Sequence, residues 1–571
     1  MVAFRTEWDS EPNPVYDVWT ITNGGEILPG VLSPFTATMF AQMDSIGIKQ
    51  LMDAYATRRR IKLFKAPIAN FFGVTAGRLV LNVGFSVAAM SGLDPEIATA
   101  MASQFFQGSD DALRLIITAT PEEYAASAAV AAGQRERAED ETLAVQQALY
   151  EDRLTDQALR DRALAPKAAW QRITHLMPSI IEIMNRHLIV STAAGEMQVR
   201  LAGVIAAGGG DANTLVGLCS GLGNVESSKP AIALYDLAQV AKRTTGVRRA
   251  IAAGNATELL AGMAAHTKGW EHFTDEFDEF LHRYGFRVQG EADPTVADWG
   301  EDPTFVISQV RSMMWLTSGE SPLAHVKKAA ANRAKLEKTV RASLSPETRD
   351  AFDEALAQAQ RFTAMRELTK AVWVLSIRQL RPPVLALADG LAAAGTIASP
   401  DDFVYCTFDE VGQLVKGKPV EGLRAAIGRR KRQRQQAEDY TLPNAWVGQV
   451  KPTRKRTAVD TTELTGLGVS AGSATGRARI ILSTEAAFAR EIEPGDVLVA
   501  PFTDTPWTPL FIPAAAIVVE TGGMLSHAAT VAREFGIPCV VLVEDATRII
   551  HEGDTVTVDG AAGTVHIDAR A

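Results

Sequence analysis

Cysteine is scarce in this 571-residue chain, and basic charge is outweighed by acidic. Cys219, Cys406 and Cys539 are the three cysteines, and 57 Lys and Arg face 67 Asp and Glu. The cysteines lie far apart with no CxxC pair, which argues against a disulfide framework or a thiolate metal site and fits a reducing cytoplasm. A formal charge of -10 offers no general attraction for nucleic acid or anionic membranes. No secretory pattern is visible, because the first residues carry Arg5, Glu7, Asp9 and Glu11 instead of a basic segment followed by an apolar run. Long hydrophobic runs are missing too: Leu79 to Leu93 is broken by Asn82, Gly84 and Ser86 and falls short of a membrane span. A soluble, cytoplasmic protein that uses neither nucleic acid nor membrane is expected. No metal site is expected either, since His175, His187, His266 and His272 lack a ligand constellation.

What remains is an ordinary globular composition, 47% apolar and 22% charged, in a chain long enough for two to four domains. From about Met39 to Asp389 it is rich in Ala, Leu, Glu, Gln and Arg, which favour helix. Met365, Leu368, Val372 and Leu375 share one helical face, with Arg366, Lys370 and Arg378 expected to point elsewhere. The stretch from Arg424 to Arg456 is basic, with Pro443 and Pro452, and reads as an exposed connection. After Thr461 the pattern turns to short β-branched runs between Gly and Pro: Arg479–Leu482, Val497–Ala500, Ile517–Glu520, Cys539–Val543 and Thr555–Val558. The expected architecture is multidomain: a large, mainly α-helical domain over residues 1–423, a basic linker over 424–460 and a compact α/β domain over 461–571.

The last part carries the chemistry. Ile517-Val518-Val519 runs into Glu520-Thr521-Gly522-Gly523, and Leu525 to Phe535 reads as a helix stopped by Gly536 and Pro538. Free N–H groups and the positive dipole end at the helix start, with two glycines that let an anion approach the main chain, suit a phosphate. His527 falls in that first turn, where the dipole disfavours imidazolium and keeps the ring neutral and nucleophilic. Thr521, Gly522, Gly523 and Ser526 are the candidate phosphate-binding residues, although Ser526 serves equally well as a helix cap. A tight turn with a capping histidine is the structural alternative. Arg533, six residues from His527, is off its face and reads as structural or as a support behind the site residues.

The run from Thr521 to Pro538 closely resembles the phosphohistidine signature of the phosphoenolpyruvate-utilising enzymes. Gly466-Leu467-Gly468-Val469-Ser470-Ala471-Gly472 through Gly476 is similar to the start of the same domain. The resemblance implies that His527 is phosphorylated and that its domain swivels between sites. Further forward, five segments look like the substrate domain of the rifampicin phosphotransferase branch. They are Trp19 to Asn23 with Glu26 to Thr36, Gly221 to Ser227, Tyr284-Gly285-Phe286-Arg287 with Gly290-Glu291, Trp299 to Pro303, and Arg366 to Asp402. One departure is Phe286, where the related pattern usually has histidine. Arg287 and Glu291 are the candidate acceptor-site residues, an arginine able to hold phosphate and a carboxylate able to take a hydroxyl proton. An internal ion pair is the alternative reading. Met313, Met314 and Trp315 read as an apolar pocket or as plain core.

Relatives that use ATP carry a nucleotide-grasping domain, and no Walker-type loop occurs here. Nor is there room after Thr461 for an α/β barrel of roughly 250 residues that handles phosphoenolpyruvate. The expectation is therefore a divided enzyme, organised as phenylphosphate synthase is. A separate ATP-grasp subunit binds ATP and Mg2+ and charges His527, and this chain passes the phosphoryl group to a hydroxyl of a small or medium apolar acceptor such as a phenol or alcohol. The competing expectations are a non-catalytic binding or regulatory homologue and a phosphoenolpyruvate-dependent phosphocarrier.

Overall fold

The computed structural model describes residues 4–571 except 12, 14–15, 23, 56–70, 84–85, 87–98, 100–120, 151–152, 212–213, 255, 456–460, 485 and 489–491. Asn23, most of the later half of the Leu79–Leu93 stretch and residues 456–460 of the expected linker therefore lie outside the described residues. Two compact units divide the chain: Met1–Val199 with Ala292–Val296 and Thr369–Arg456, and Arg200–Glu291 with Ala297–Leu368 and Thr457–Ala571. They cut across the expected boundary at residue 423.

The first unit is helical around a small antiparallel sheet. Its strands are β1 (Val18–Thr20), β2 (Phe72–Thr75), β3 (Arg78–Asn82) and β4 (Ala445–Val447), in the order β2-β3-β1-β4. Trp19 of β1 is buried with Ala76, Val80 and Leu442. The helix Pro166–Ala207 is long and apolar enough over one window to cross a membrane. Core helices of soluble proteins meet the same criterion, and Ile173, Ile180, Ile181 and Val190 of this one are fully buried.

Two expectations need correction in this unit. The basic stretch from 424 is not an exposed connection at its start but a helix, Leu423–Ala437, that buries Leu423, Ala426, Ile427 and Arg430. Those positions recur at intervals of three, one and three, one helical face. Arg430 can be buried there because Glu410 accepts from it at 2.7 and 2.9 Å, Glu7 at 3.1 Å and the Tyr405 carbonyl at 2.9 Å. Lys370 and Arg378, expected off the face of Met365, Leu368, Val372 and Leu375, are buried as well. Arg378 donates to the carbonyls of Asp293 and Val296 at 3.0 and 2.9 Å, so its charge is satisfied by backbone instead of water.

The second unit joins helices to a mixed eight-stranded sheet. Its strands are β5 (Glu463–Thr465), β6 (Leu467–Ser470), β7 (Ser473–Ile480), β8 (Val497–Ala500), β9 (Ala516–Val519), β10 (Cys539–Val541), β11 (Thr555–Asp559) and β12 (Thr564–Ala569), ordered β5-β12-β11-β7-β8-β9-β10-β6. The central β7, β8, β9 and β10 are parallel, and the flanking pairs are antiparallel.

Side chains alternate between the faces of each strand, and both faces are covered. Val497, Val499, Ala516 and Val518 pack in one cluster, and Leu498, Ala500, Ile517 and Val519 in another. Parallel strands buried on both sides read as unbroken apolar runs, which is why β8 and β9 were legible in the sequence. The second cluster also takes in Leu234 from helix Lys229–Arg243, Phe273 and Phe277 from Glu271–Tyr284, and Val306 and Val310 from Thr304–Met313. This shared core explains why residues 200–368 group largely with the α/β part and not with the residues before them. Met313 and Met314 belong to it, whereas Trp315 is 60% exposed, so the three do not line one pocket.

Candidate functional site

The helix expected from Leu525 begins at His527 and ends at Phe535. Ser526 is its N-cap, with Oγ accepting from the Ala529 N–H at 3.3 Å. Gly536 takes the left-handed conformation, φ 66°, with its N–H donating to the Arg533 carbonyl and that of Ile537 to Ala532. That is a Schellman ending, which requires a residue free of Cβ strain at this point.

His527 lies at the carboxyl end of β9, one strand over from the loop that leaves β8. Because β8 and β9 are parallel neighbours, both loops emerge at the same end of the sheet. The β8 loop carries Thr503, Asp504, Thr505, Trp507 and Thr508, all nearly inaccessible. Thr508 Oγ1 lies 3.3 Å from His527 Nε2 and donates to the Ser227 carbonyl at 3.0 Å. The Phe511 ring is 5.9 Å from the imidazole, centre to centre. His527 is 1% exposed.

The candidate phosphate loop is only partly free for a ligand. Thr521 Oγ1 donates to the Pro501 carbonyl at 3.0 Å, so this hydroxyl ties the β8 and β9 loops together. Gly522 has φ 141°, and a Cβ there would meet Ser526 Oγ at 3.1 Å and Val541 Cβ at 3.2 Å. Around Gly523 a Cβ would meet open space. Arg533 is structural: its guanidinium donates to the carbonyls of Val469 at 2.6 Å and Met524 at 2.7 Å, pinning the loop from the far side of the helix.

Arg287 and Glu291 form a buried ion pair, Nη1 to Oε2 at 2.8 Å, with each side chain no more than 3% exposed. The Phe286 ring lies under the guanidinium at 4.6 Å. The backbone joins the motifs seen in the sequence: Trp299 N–H donates to the Arg287 carbonyl and Gly300 N–H to that of Gly285. The pair also reaches the β8 loop. Thr505 Oγ1 donates to Glu291 Oε1 at 3.3 Å, and Gly290 N–H donates to Asp504 Oδ2 at 2.8 Å. Burial raises the Tyr284 hydroxyl, Glu226 adds to the rise, and Arg283 and Arg287 oppose it.

Thus the turn Asp504–Thr508 connects His527 on one side with Arg287 and Glu291 on the other. Sequence reasoning passed over it. The available signal was the hydroxyl-rich run Thr503-Asp504-Thr505-Pro506-Trp507-Thr508 directly after an apolar strand. Glu534 was also missed: it grips the backbone of the Gly221–Ser227 segment, accepting from Leu222 N–H at 2.8 Å and Gly223 N–H at 2.7 Å. Among the described residues, no three His, Cys, Asp or Glu side chains converge as a metal-holding group.

Residues 186–367 match the rifampicin phosphotransferase fourth domain, and residues 492–563 match the PEP-utilising enzyme mobile domain. The chain is 31% identical over 353 residues to rifampicin phosphotransferase of Streptomyces sviceus, covering 60% of this chain and 40% of that protein. It is 30% identical over 308 residues to the Bacillus cereus rifampicin phosphotransferase, 52% of this chain and 35% of the relative. It is 29% identical over 366 residues to the prodigiosin synthesizing transferase PigC of Serratia marcescens, 61% of this chain and 39% of that protein. The chain thus spans well under half the length of these curated relatives. The mobile-domain match covers the β8 loop, the Gly-Gly turn and His527, and the fourth-domain match covers Ser227, Arg287 and Glu291. Both halves of the site thus lie inside matched segments, and the chain is similar there to the phosphoenolpyruvate-utilising enzymes, on their rifampicin phosphotransferase side.

Proposed function

We propose that the chain is a phosphotransferase that carries a phosphoryl group on His527 and hands it to a hydroxyl of a small or medium apolar acceptor such as a phenol or alcohol. The observation that carries this reading is the position of His527. It is the first residue of a helix after Gly522-Gly523, with its ring against the turn that also contacts Gly290 and Glu291, the ion-pair partner of Arg287. The helix start favours the added negative charge, and burial against the turn excludes water from the second transfer.

In the first step a ring nitrogen lone pair attacks a phosphorus of ATP held by a separate ATP-grasp subunit. An N–P bond forms, a P–O bond breaks, and the nucleotide leaves with the electron pair; Mg2+ is held by nucleotide and partner. His527 is too buried in the described state to meet such a donor, so the mobile domain swings out to be charged and back to deliver. In the second step the acceptor oxygen attacks phosphorus, the N–P bond breaks, and the hydroxyl proton passes to a carboxylate. Glu291 is the candidate. Its two oxygens face Arg287 and Thr505, so taking the proton requires Thr505 to give way.

The test is to incubate the purified chain with ATP, Mg2+ and candidate ATP-grasp partners and to look for an acid-labile, base-stable phosphoryl adduct. Label on wild type and none on His527→Ala is the expected result. No label from any ATP-grasp partner or from phosphoenolpyruvate would replace this reading with that of a binding protein; label from phosphoenolpyruvate alone would replace the donor.

A further inference from the structure

The Thr508 hydroxyl stands between two partners, the Ser227 carbonyl at 3.0 Å and His527 Nε2 at 3.3 Å. A hydroxyl has one proton and a carbonyl oxygen has none, so the proton shared with Ser227 must come from Thr508. The part of Oγ1 that faces the imidazole then holds lone pairs. Nε2 sits there favourably only as an N–H donor, which in a neutral ring leaves the lone pair on Nδ1. Ser227 is 2% exposed, Thr508 0% and His527 1%, so bulk water does not compete for these bonds.

We propose that Thr508 is a positioning residue that sets the tautomer of His527 according to whether the Ser227 carbonyl is in place. With Ser227 present, the proton of the ring is on Nε2. With Ser227 withdrawn, the Thr508 proton is free to turn toward Nε2, and the lone pair is free to move there. The inference rests on the reading of His527 as a phosphoryl carrier, and it adds the control of which nitrogen is nucleophilic. Its setting supports that use: Ser227 ends the Gly221–Ser227 segment, whose Leu222 and Gly223 amides are held by Glu534 on the carrier helix itself. The contact that docks the segment against the end of the helix also brings the carbonyl to its start.

The experiment uses the full chain with 15N-labelled histidine, assigning His527 among the nine histidines by comparison with His527→Gln. Long-range 15N–1H correlations at a pH where the ring is neutral report which nitrogen carries the proton. Wild type and Thr508→Ser are expected to hold it on Nε2, and Thr508→Val to lose that preference. A proton on Nδ1 in wild type overturns the proposal, as does an unchanged Nε2–H pattern in a folded Thr508→Val. Phosphoryl labelling of the same samples separates the two ideas. Absence of label with a Thr508-dependent Nε2–H tautomer would overturn the carrier reading and support the relay.

Discussion

Glu534 accepts the backbone N–H groups of Leu222 and Gly223 at 2.8 and 2.7 Å while its own side chain is 1% exposed. Burial raises this carboxyl, and the two amides oppose the rise without cancelling it. Glu534→Ala removes the charged acceptor shared by two half-buried hydrogen bonds. A loss of about 1–3 kcal/mol is expected, read as a lower urea midpoint, and an unchanged midpoint would show that the grip contributes nothing.

Arg287→Ala strands Glu291 in the interior, and the expected loss is about 3–5 kcal/mol. Replacing both partners by apolar residues, Arg287→Met with Glu291→Leu, is expected to cost less than the single change, because no charge is left unpaired. Chemical denaturation of the singles and the double measures this. Label on His527 is expected to survive in the double variant, with transfer to the acceptor lost.

Asp44 is buried and accepts from Phe71 N–H at 2.9 Å and Phe72 N–H at 3.4 Å, and desolvation pushes its carboxyl up to about 7. A folded-state value above the unfolded one means that the folded protein binds the extra proton. The contribution of Asp44 is therefore fully present below about pH 4 and is lost as pH rises through about 7. Asp44→Asn keeps an acceptor without the charge. It is expected to flatten that fall and to raise the melting temperature at pH 8, as thermal denaturation against pH would register.

Gly522→Ala places a Cβ 3.1 Å from Ser526 Oγ at φ 141°, a backbone conformation costly for an L residue. Destabilisation of about 1–3 kcal/mol is expected. His527 labelling should fall with it, since Ser526 caps the carrier helix. Gly523→Ala, with open space around its Cβ and no left-handed φ, is expected to keep its stability. Equal losses in both variants would contradict the distinction.

All three cysteines are buried and unpaired, and burial pushes their thiols up to about 11 for Cys219 and about 12 for Cys406 and Cys539. A thiol reagent at pH 8 is expected to modify none of them in the native chain and all three after unfolding. Fast modification of the native protein would place at least one of these side chains at the surface.

By itself the sequence determined the local grammar of this protein. It specified the apolar strands β8 and β9, the Gly-Gly turn, His527 at a helix start and Gly536 at its end. Each of those follows from backbone preferences and burial period within a few residues. The sequence also marked Arg287 and Glu291 through a motif. It left open whether these two residues, four apart, form an ion pair, and it could not show that the turn Asp504–Thr508 links Glu291 to the histidine, because pairings across 200 or more residues leave no local periodicity. Tertiary structure alone decided the partners of Glu534, the grouping of residues 200–368 with the α/β part, and the burial of Lys370, Arg378 and Arg430. A charge reads as exposed in sequence, and only packing can supply the carboxylates and carbonyls that let it be buried.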